Sequence, residues 1–177
     1  MGDFAVGLLP SHFYTNFEHL QNWVGFDIGK VIGEGIRVID DYGLEKLYGR
    51  DGKGLEGMEW VGYAGVRDAT TTSLPEHLPS EPPLPDWLEM IELRYGLAEE
   101  YWGKGIAKGA AEAVMLWGQN ERGVRRFIAE TERGNAESGK VLQKLGFVLR
   151  GEKPGRGYWK EESEVEWERV ACSGDET

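Results

Sequence analysis

The alternation of apolar and polar positions is clearest in the second half of the chain. Residues 88–98 (LEMIELRYGLA) repeat with a period of two, which puts Ile91 and Leu93 on one face and Glu92 and Arg94 on the other, and predicts a strand. Gly96, near its end, has no side chain to pack and is expected to mark a bulge. Over residues 103–120 the period becomes helical, with Ile106, Ala110, Ala113, Val114 and Trp117 along one stripe. Residues 125–132 (RRFIAETE) predict another strand. Asn135 then stands where a helix N-cap belongs, ahead of a buried face made by Val141, Leu142 and Leu145. Gly146 suits the left-handed position after that helix, with Phe147 packing back over its last turn. Residues 146–152 and 163–170 predict two closing strands, and the last seven residues a loose tail.

The first half is less regular. Its glycine content is high, 26 in the whole chain with most of the excess before residue 66, so turns and irregular strands are expected there. Residues 12–24 give a short amphipathic helical pattern, and residues 31–39 and 58–67 predict strands. Residues 68–86 hold five of the seven prolines and predict a surface loop inserted between neighbouring strands. The order strand, helix, strand, helix, strand, strand argues an α/β fold with a mixed, twisted sheet flanked by helices. A length of 177 residues suits a single domain, 1–177.

Composition narrows the function. Twenty Lys and Arg against 31 Asp and Glu leave a net charge of −11, which argues against a nucleic-acid partner needing a basic footprint. The same charge favours a cationic partner or simply a solvated acidic surface. One cysteine, Cys172, allows no intrachain disulfide and fits a reducing, cytoplasmic compartment. No basic leader opens the chain, and no apolar run approaches the ~18 residues that span a bilayer, so no membrane partner is expected. His12, His19 and His77 have no metal-ligand spacing, and no metal is expected.

Two glycine segments invite comparison with phosphate loops. Gly33-Glu34-Gly35 lacks a third glycine and a following helix, and no GxxxxGK[ST] occurs. Trp102-Gly103-Lys104-Gly105-Ile106-Ala107 lies between a strand and a strong helix, although Lys108 replaces the third glycine of a dinucleotide fingerprint. Two glycines permit close backbone approach, the first helical turn offers free N–H groups, and Lys104 adds positive charge. The segment is either an anion site or an ordinary glycine-rich helix start.

The run Ile91-Glu92-Leu93-Arg94-Tyr95-Gly96-Leu97 followed by Tyr101-Trp102-Gly103-Lys104-Gly105-Ile106-Ala107 resembles the acetyl-CoA motif of the GNAT acetyltransferases. Its Tyr-Trp-Gly-Lys-Gly wording is similar to the ribosomal-protein N-acetyltransferase (Rim-type) branch. A second block, Asn135-Ala136-Glu137-Ser138 and then Val141 to Phe147, resembles the family's next signature, with the expected strand between the two. The likeness covers residues 88–152.

The resemblance implies residues 88–152 as an acetyl-CoA-binding core and residues 1–87 as an acceptor-side half, followed by closing strands (153–170) and a tail (171–177). It implies that backbone groups of Leu97 and Ala98 pair with the pantetheine arm, in a notch opened by a bulge near Gly96. Trp102, Gly103, Lys104, Gly105, Ile106 and Ala107 would wrap the pyrophosphate. Asn135 would hold the cofactor or its loop, or serve only as a helix cap. Amine attack on a thioester sheds a proton from the amine and sends out a thiolate, so a base and an acid are useful, and an oxyanion donor would be a backbone N–H near Leu97.

Glu92 lies where several GNAT enzymes carry a catalytic glutamate, though it also suits a solvated strand carboxylate. Many members place a tyrosine acid seven residues after the asparagine, which here is Leu142. The Rim-type branch uses the serine three residues after it, here Ser138, as acid or hydrogen-bond donor to the thiolate. Rim-type chains usually open with a strand of the form Arg-Leu-x-Leu-Arg, and nothing in the first half fits it. The implied activity is transfer of an acetyl group from acetyl-CoA to a primary amine, on a protein N-terminus or a small molecule, with a homodimer allowed. The alternative is a GNAT-fold module that binds CoA or a partner protein without turnover.

Overall fold

The computed structural model describes residues 3–8, 59–69, 90–151 and 164–170. These form a sheet of six strands: β1 (Asp3–Leu8), β2 (Glu59–Asp68), β3 (Ile91–Leu97), β4 (Arg126–Glu132), β5 (Val148–Gly151) and β6 (Glu164–Val170). Two helices accompany them, α1 (Ile106–Arg122) and α2 (Ala136–Lys144), with a 3-10 turn at Glu99–Tyr101. The spatial order is β1-β2-β3-β4-β6-β5. Only β3 and β4 are parallel; the other neighbours are antiparallel. A parallel pair needs a crossover, and α1 supplies it. The mixed α/β sheet expected from the pattern is therefore the one observed.

The period-two strands sort their residues cleanly. Ala64, Val66, Ile91, Leu93, Phe127, Ala129, Val165 and Trp167 face α1 and α2 and form one buried cluster with Ala111, Val114, Met115, Leu142 and Phe147. Ile91, Phe127, Met115 and Leu142 are completely buried, and each contributes roughly 1.5–3 kcal/mol of transfer free energy. The opposite face carries Arg67, Glu92, Arg94, Arg126, Glu130, Glu166 and Glu168, because alternation sends every second residue there. Arg126 and Arg150 both pair with Glu168 on that side.

Several boundaries differ from the expectation, each for a physical reason. α1 begins at Ile106, not 103, because Gly103 and Gly105 have φ of +74° and +80°, outside the helical region. It runs on to Arg122, where Gly123 takes the left-handed cap and donates its N–H to the Gln119 carbonyl. Gly146 is left-handed as expected, and the Phe147 N–H returns to the Leu142 carbonyl, so β5 starts only at Val148.

Two findings concern strands. An opening strand exists without the Arg-Leu-x-Leu-Arg wording: β1 (DFAVGL) pairs antiparallel with β2. Edge pairing uses backbone groups, and Phe4 and Val6 suffice to pack it on the core, with the Phe4 ring 5.1 Å from that of Trp117. Gly96 marks no bulge: the β2–β3 register runs unbroken from Asp68↔Ile91 to Gly62↔Leu97. Glycine sits there because its cross-strand partner Tyr63 lays its ring over the position, and a Cβ would come 2.8 Å from Tyr63 Cε1. The helix predicted over 12–24, the strand over 31–39, the proline loop from residue 70 on and the tail lie outside the described residues, as do His12, His19, His77 and Cys172.

Candidate functional site

The site begins where β3 and β4 part. Their pairing covers only Ile91↔Phe127 and Glu92↔Ile128, so from Leu93 onward the two strands diverge. This splay, and not a bulge at Gly96, opens the notch. Ala98 donates its N–H to the Val61 carbonyl (2.9 Å) and its carbonyl accepts from Tyr101 N–H (3.0 Å). Both backbone groups of Ala98, one of the residues expected to pair with a pantetheine arm, thus make hydrogen bonds within the protein. Strand alternation then turns the N–H and carbonyl of Leu97 the other way, into the splay. The Leu97 carbonyl accepts from the Trp102 indole N–H at 2.9 Å.

The glycine turn closes one end of the splay. Its 3-10 segment is pinned by Tyr101, whose hydroxyl donates to Glu59 at the start of β2. That bond, together with desolvation and the charges of Glu59 and Glu100, pushes the Tyr101 pKa up to about 12. Lys104 Nζ stands 5.1 Å from the centroid of the same ring. Gly105 occupies the N-cap and brings no side-chain acceptor, and the first intrahelical bond runs from Gly109 N–H to its carbonyl (3.0 Å). The N–H groups of Ile106, Ala107 and Lys108 therefore precede the helical ladder. Cβ atoms at Gly103 and Gly105 would meet nothing within 4 Å among the described residues. Open backbone, uncapped N–H groups and the positive end of a helix are what a pyrophosphate requires, so these residues fit one.

The far wall is the start of α2. Asn135 is its N-cap, with Oδ1 accepting from Ser138 N–H at 3.0 Å. Ser138 Oγ lies 2.8 Å from the Tyr95 hydroxyl, which also reaches the Ser138 carbonyl at 3.2 Å. Leu142, which the resemblance sets where a tyrosine acid would stand, is wholly buried in the core.

Glu92 stands on the opposite face of the sheet from Tyr95, and it is buried rather than solvated, with 6% side-chain exposure. Arg67 holds it twice, Nε to Oε2 at 2.6 Å and Nη2 to Oε1 at 3.1 Å, and Arg94 Nε approaches Oε1 at 3.6 Å. Pattern reading missed a second carboxyl beside it, Glu130 on β4. Burial first, then a hydrogen bond to Glu164 and the charges of Glu164 and Glu92, push its pKa up to about 8 despite Arg67. The Glu-x-Glu-x-Glu spacing of β6 hinted at a carboxylate row, but only the register places it beside β4. Among the described residues no group of His, Cys, Asp or Glu is arranged to hold a metal, and no helix is long and apolar enough to cross a membrane.

Residues 44–148 match the family described as an Acetyltransferase (GNAT) domain. The chain is 32% identical over 75 residues to the uncharacterized N-acetyltransferase YjdG of Bacillus subtilis, covering 42% of this chain and 45% of that one. It is 37% identical over 57 residues to the uncharacterized protein YkkB of the same organism, covering 32% of this chain and 33% of that one. The matched stretches thus span less than half the length of these relatives. Among solved structures, it is similar to a ribosomal-protein-S5-alanine acetyltransferase from Vibrio fischeri, with 22% identity, a TM-score of 0.46 and coverage of 67% of this chain and 57% of that one.

Proposed function

The chain belongs to the GNAT acetyltransferase family, whose match spans more than half of it, and from this we propose that it transfers an acetyl group from acetyl-CoA to a primary amine by direct attack in a ternary complex. The acceptor is a protein N-terminus or a small amine. The observation that carries the reading is the splay of β3 from β4 ending at an uncapped helix N-terminus behind two left-handed glycines. Acetyl-CoA as co-substrate supplies the activated acyl group; the protein's own part is to bind, orient and move protons. In this reading the N–H groups from Gly103 to Ala107 hold the pyrophosphate, with Lys104 adding charge. Leu97 offers its carbonyl to the pantetheine amide once the Trp102 indole yields it, and its N–H to the thioester oxygen.

The splay runs through the sheet, and the two proton tasks fall on its two faces. On the charged face Glu92 and Glu130 serve the incoming amine, which arrives as a cation and must lose a proton. Both oxygens of Glu92 already accept from Arg67, so a proton moved there competes with those bonds. Glu130, with its pKa raised to about 8, is better matched to proton exchange near neutral pH. On the helix face Ser138 donates to the departing sulfur. Calorimetry with CoA, followed by an acceptor panel of amines and N-terminal peptides read by mass, tests the proposal. CoA binding with acetylated product supports it, and absence of binding overturns it.

The second reading is a CoA-binding or interaction module without turnover. Its supporting observation is the double occupation of Glu92 by Arg67, together with Leu142 in the core. CoA binding with no product across the whole panel would favour it.

A further inference from the structure

A tyrosine hydroxyl reaches the proposed acid by a route that the helix sequence does not provide. Tyr95 lies on β3 beyond the last residue paired with β4, Glu92, and its side chain crosses the splay to the first turn of α2. There its hydroxyl stands 2.8 Å from Ser138 Oγ and 3.2 Å from the Ser138 carbonyl. These contacts join residues 43 positions apart and tie the two walls of the splay together. We propose that Tyr95 is a positioning residue for the sulfur side of the reaction: its hydroxyl donates to Ser138 Oγ, so that the Ser138 O–H is free to donate a hydrogen bond to the leaving thiolate. The inference rests on the reading of acetyl-CoA in the splay.

The hydrogen-bond options around Ser138 make the role specific. If Tyr95 donates to the Ser138 carbonyl, the Ser138 proton is drawn to the phenolic oxygen and no donor faces the cleft. If Tyr95 donates to Oγ, the Ser138 O–H stays free to point at the sulfur, and its oxygen is polarised in the direction that strengthens the donation. Burial raises the Tyr95 pKa, with the bond to Ser138 opposing, so the phenol stays protonated and remains a donor near neutral pH. Asn135 fixes the same residue from below by accepting its backbone N–H at 3.0 Å. The serine is thereby held by its backbone from one side and its hydroxyl from the other, which leaves little rotamer freedom to lose when the thiolate appears.

The test reads the thiol of bound CoA, not turnover. Its ionisation is followed by thiolate ultraviolet absorbance in complexes of the wild-type protein, Tyr95→Phe, Ser138→Ala and the double variant, each checked for folding by its melting temperature. Ser138→Ala deletes a hydrogen bond to the charged sulfur and should raise the bound thiol pKa by roughly one unit; Tyr95→Phe keeps that donor but removes the bond that orients and polarises it, and should raise the pKa in the same direction by a smaller amount. The double variant should rise no further than Ser138→Ala, because Tyr95 acts on the sulfur only through Ser138. A wild-type thiol pKa in Tyr95→Phe, with a raised one in Ser138→Ala, overturns the positioning role while leaving Ser138 in place. Additive shifts in the double variant also overturn it, since the hydroxyls would then act separately. A thiol unaffected by Ser138→Ala also overturns it, because Ser138 then does not face the sulfur, whereas a wild-type protein that binds no CoA refutes the proposed function itself.

Discussion

Three glycines permit a controlled test of the pyrophosphate site. Gly103 and Gly105 flank the turn with φ of +74° and +80°, and Gly123 closes the other end of α1 with φ of +67°. A Cβ at any of the three meets no atom of the described residues within 4 Å, so alanine clashes with none of them. What remains is the strain of a left-handed L-residue, roughly 1–2 kcal/mol at each position. For a chain of this length that lowers Tm by roughly 2–8 °C, and folding stabilities of about 5–15 kcal/mol tolerate it. The three positions differ only in what the open space receives. At Gly123 it is solvent; at Gly103 and Gly105 it is, in the proposed function, where the pyrophosphate would approach the backbone. A methyl group there holds the phosphate off and removes at least one charge-assisted hydrogen bond of about 1.5–3 kcal/mol, which weakens Kd roughly 10- to 150-fold. Calorimetry with CoA and thermal denaturation on the three alanine variants give both numbers. Similar Tm losses with a CoA defect confined to Gly103→Ala and Gly105→Ala are expected. Equal Kd values in all three variants would refute the assignment of the turn.

Glu130 sets a pH dependence of stability with a definite sign. Unfolded, it loses its proton around the ordinary 4.5, and folded only at about 8, so the folded protein holds the extra proton between those values and loses stability as pH rises through that window. Glu130→Gln should remove this slope: its urea midpoint rises above that of the wild type at pH about 8 and the difference fades towards pH about 4; parallel curves for the two proteins would contradict the raised pKa. Thr131→Val strands the buried Trp167 indole N–H, which now donates to Thr131 Oγ1 at 3.0 Å, and should cost about 1–3 kcal/mol in a denaturant titration; an unchanged midpoint would mean the bond contributes nothing. Glu92→Gln should lower turnover most at low pH, where free amine is scarce, with CoA affinity preserved; a uniform loss across pH 6 to 9, about either side of neutrality, would assign it to disruption of the Arg67 pair instead.

Local chemistry was legible in the order of residues. The helical stripe of α1, the Asn135 cap, the left-handed Gly146 and the glycine-rich approach to Ile106 each depend on residues within one or two turns of each other, and all stand in the structure as their neighbours dictate. Period-two alternation likewise sorted Ile91 and Leu93 from Glu92 and Arg94, since side-chain direction along a strand needs no partner.

What alternation cannot state is which strand lies alongside which, and in what register. β1 carries no distinctive wording, because an edge strand is recruited through its backbone. Gly96 was open to a bulge until the register set it against Tyr63. Glu92 was open to a catalytic or a merely solvated carboxylate, and its burial followed only when Arg67, 25 residues earlier, was brought across from β2 to hold both its oxygens. The raised pKa of Glu130 depends on β6 inserting between β4 and β5, and the Tyr95–Ser138 bond on the divergence of two parallel strands. Periodicity and capping are properties of a short stretch of backbone, whereas burial, ion pairing and proton affinity belong to the contacts between stretches, and only the assembled sheet decides those.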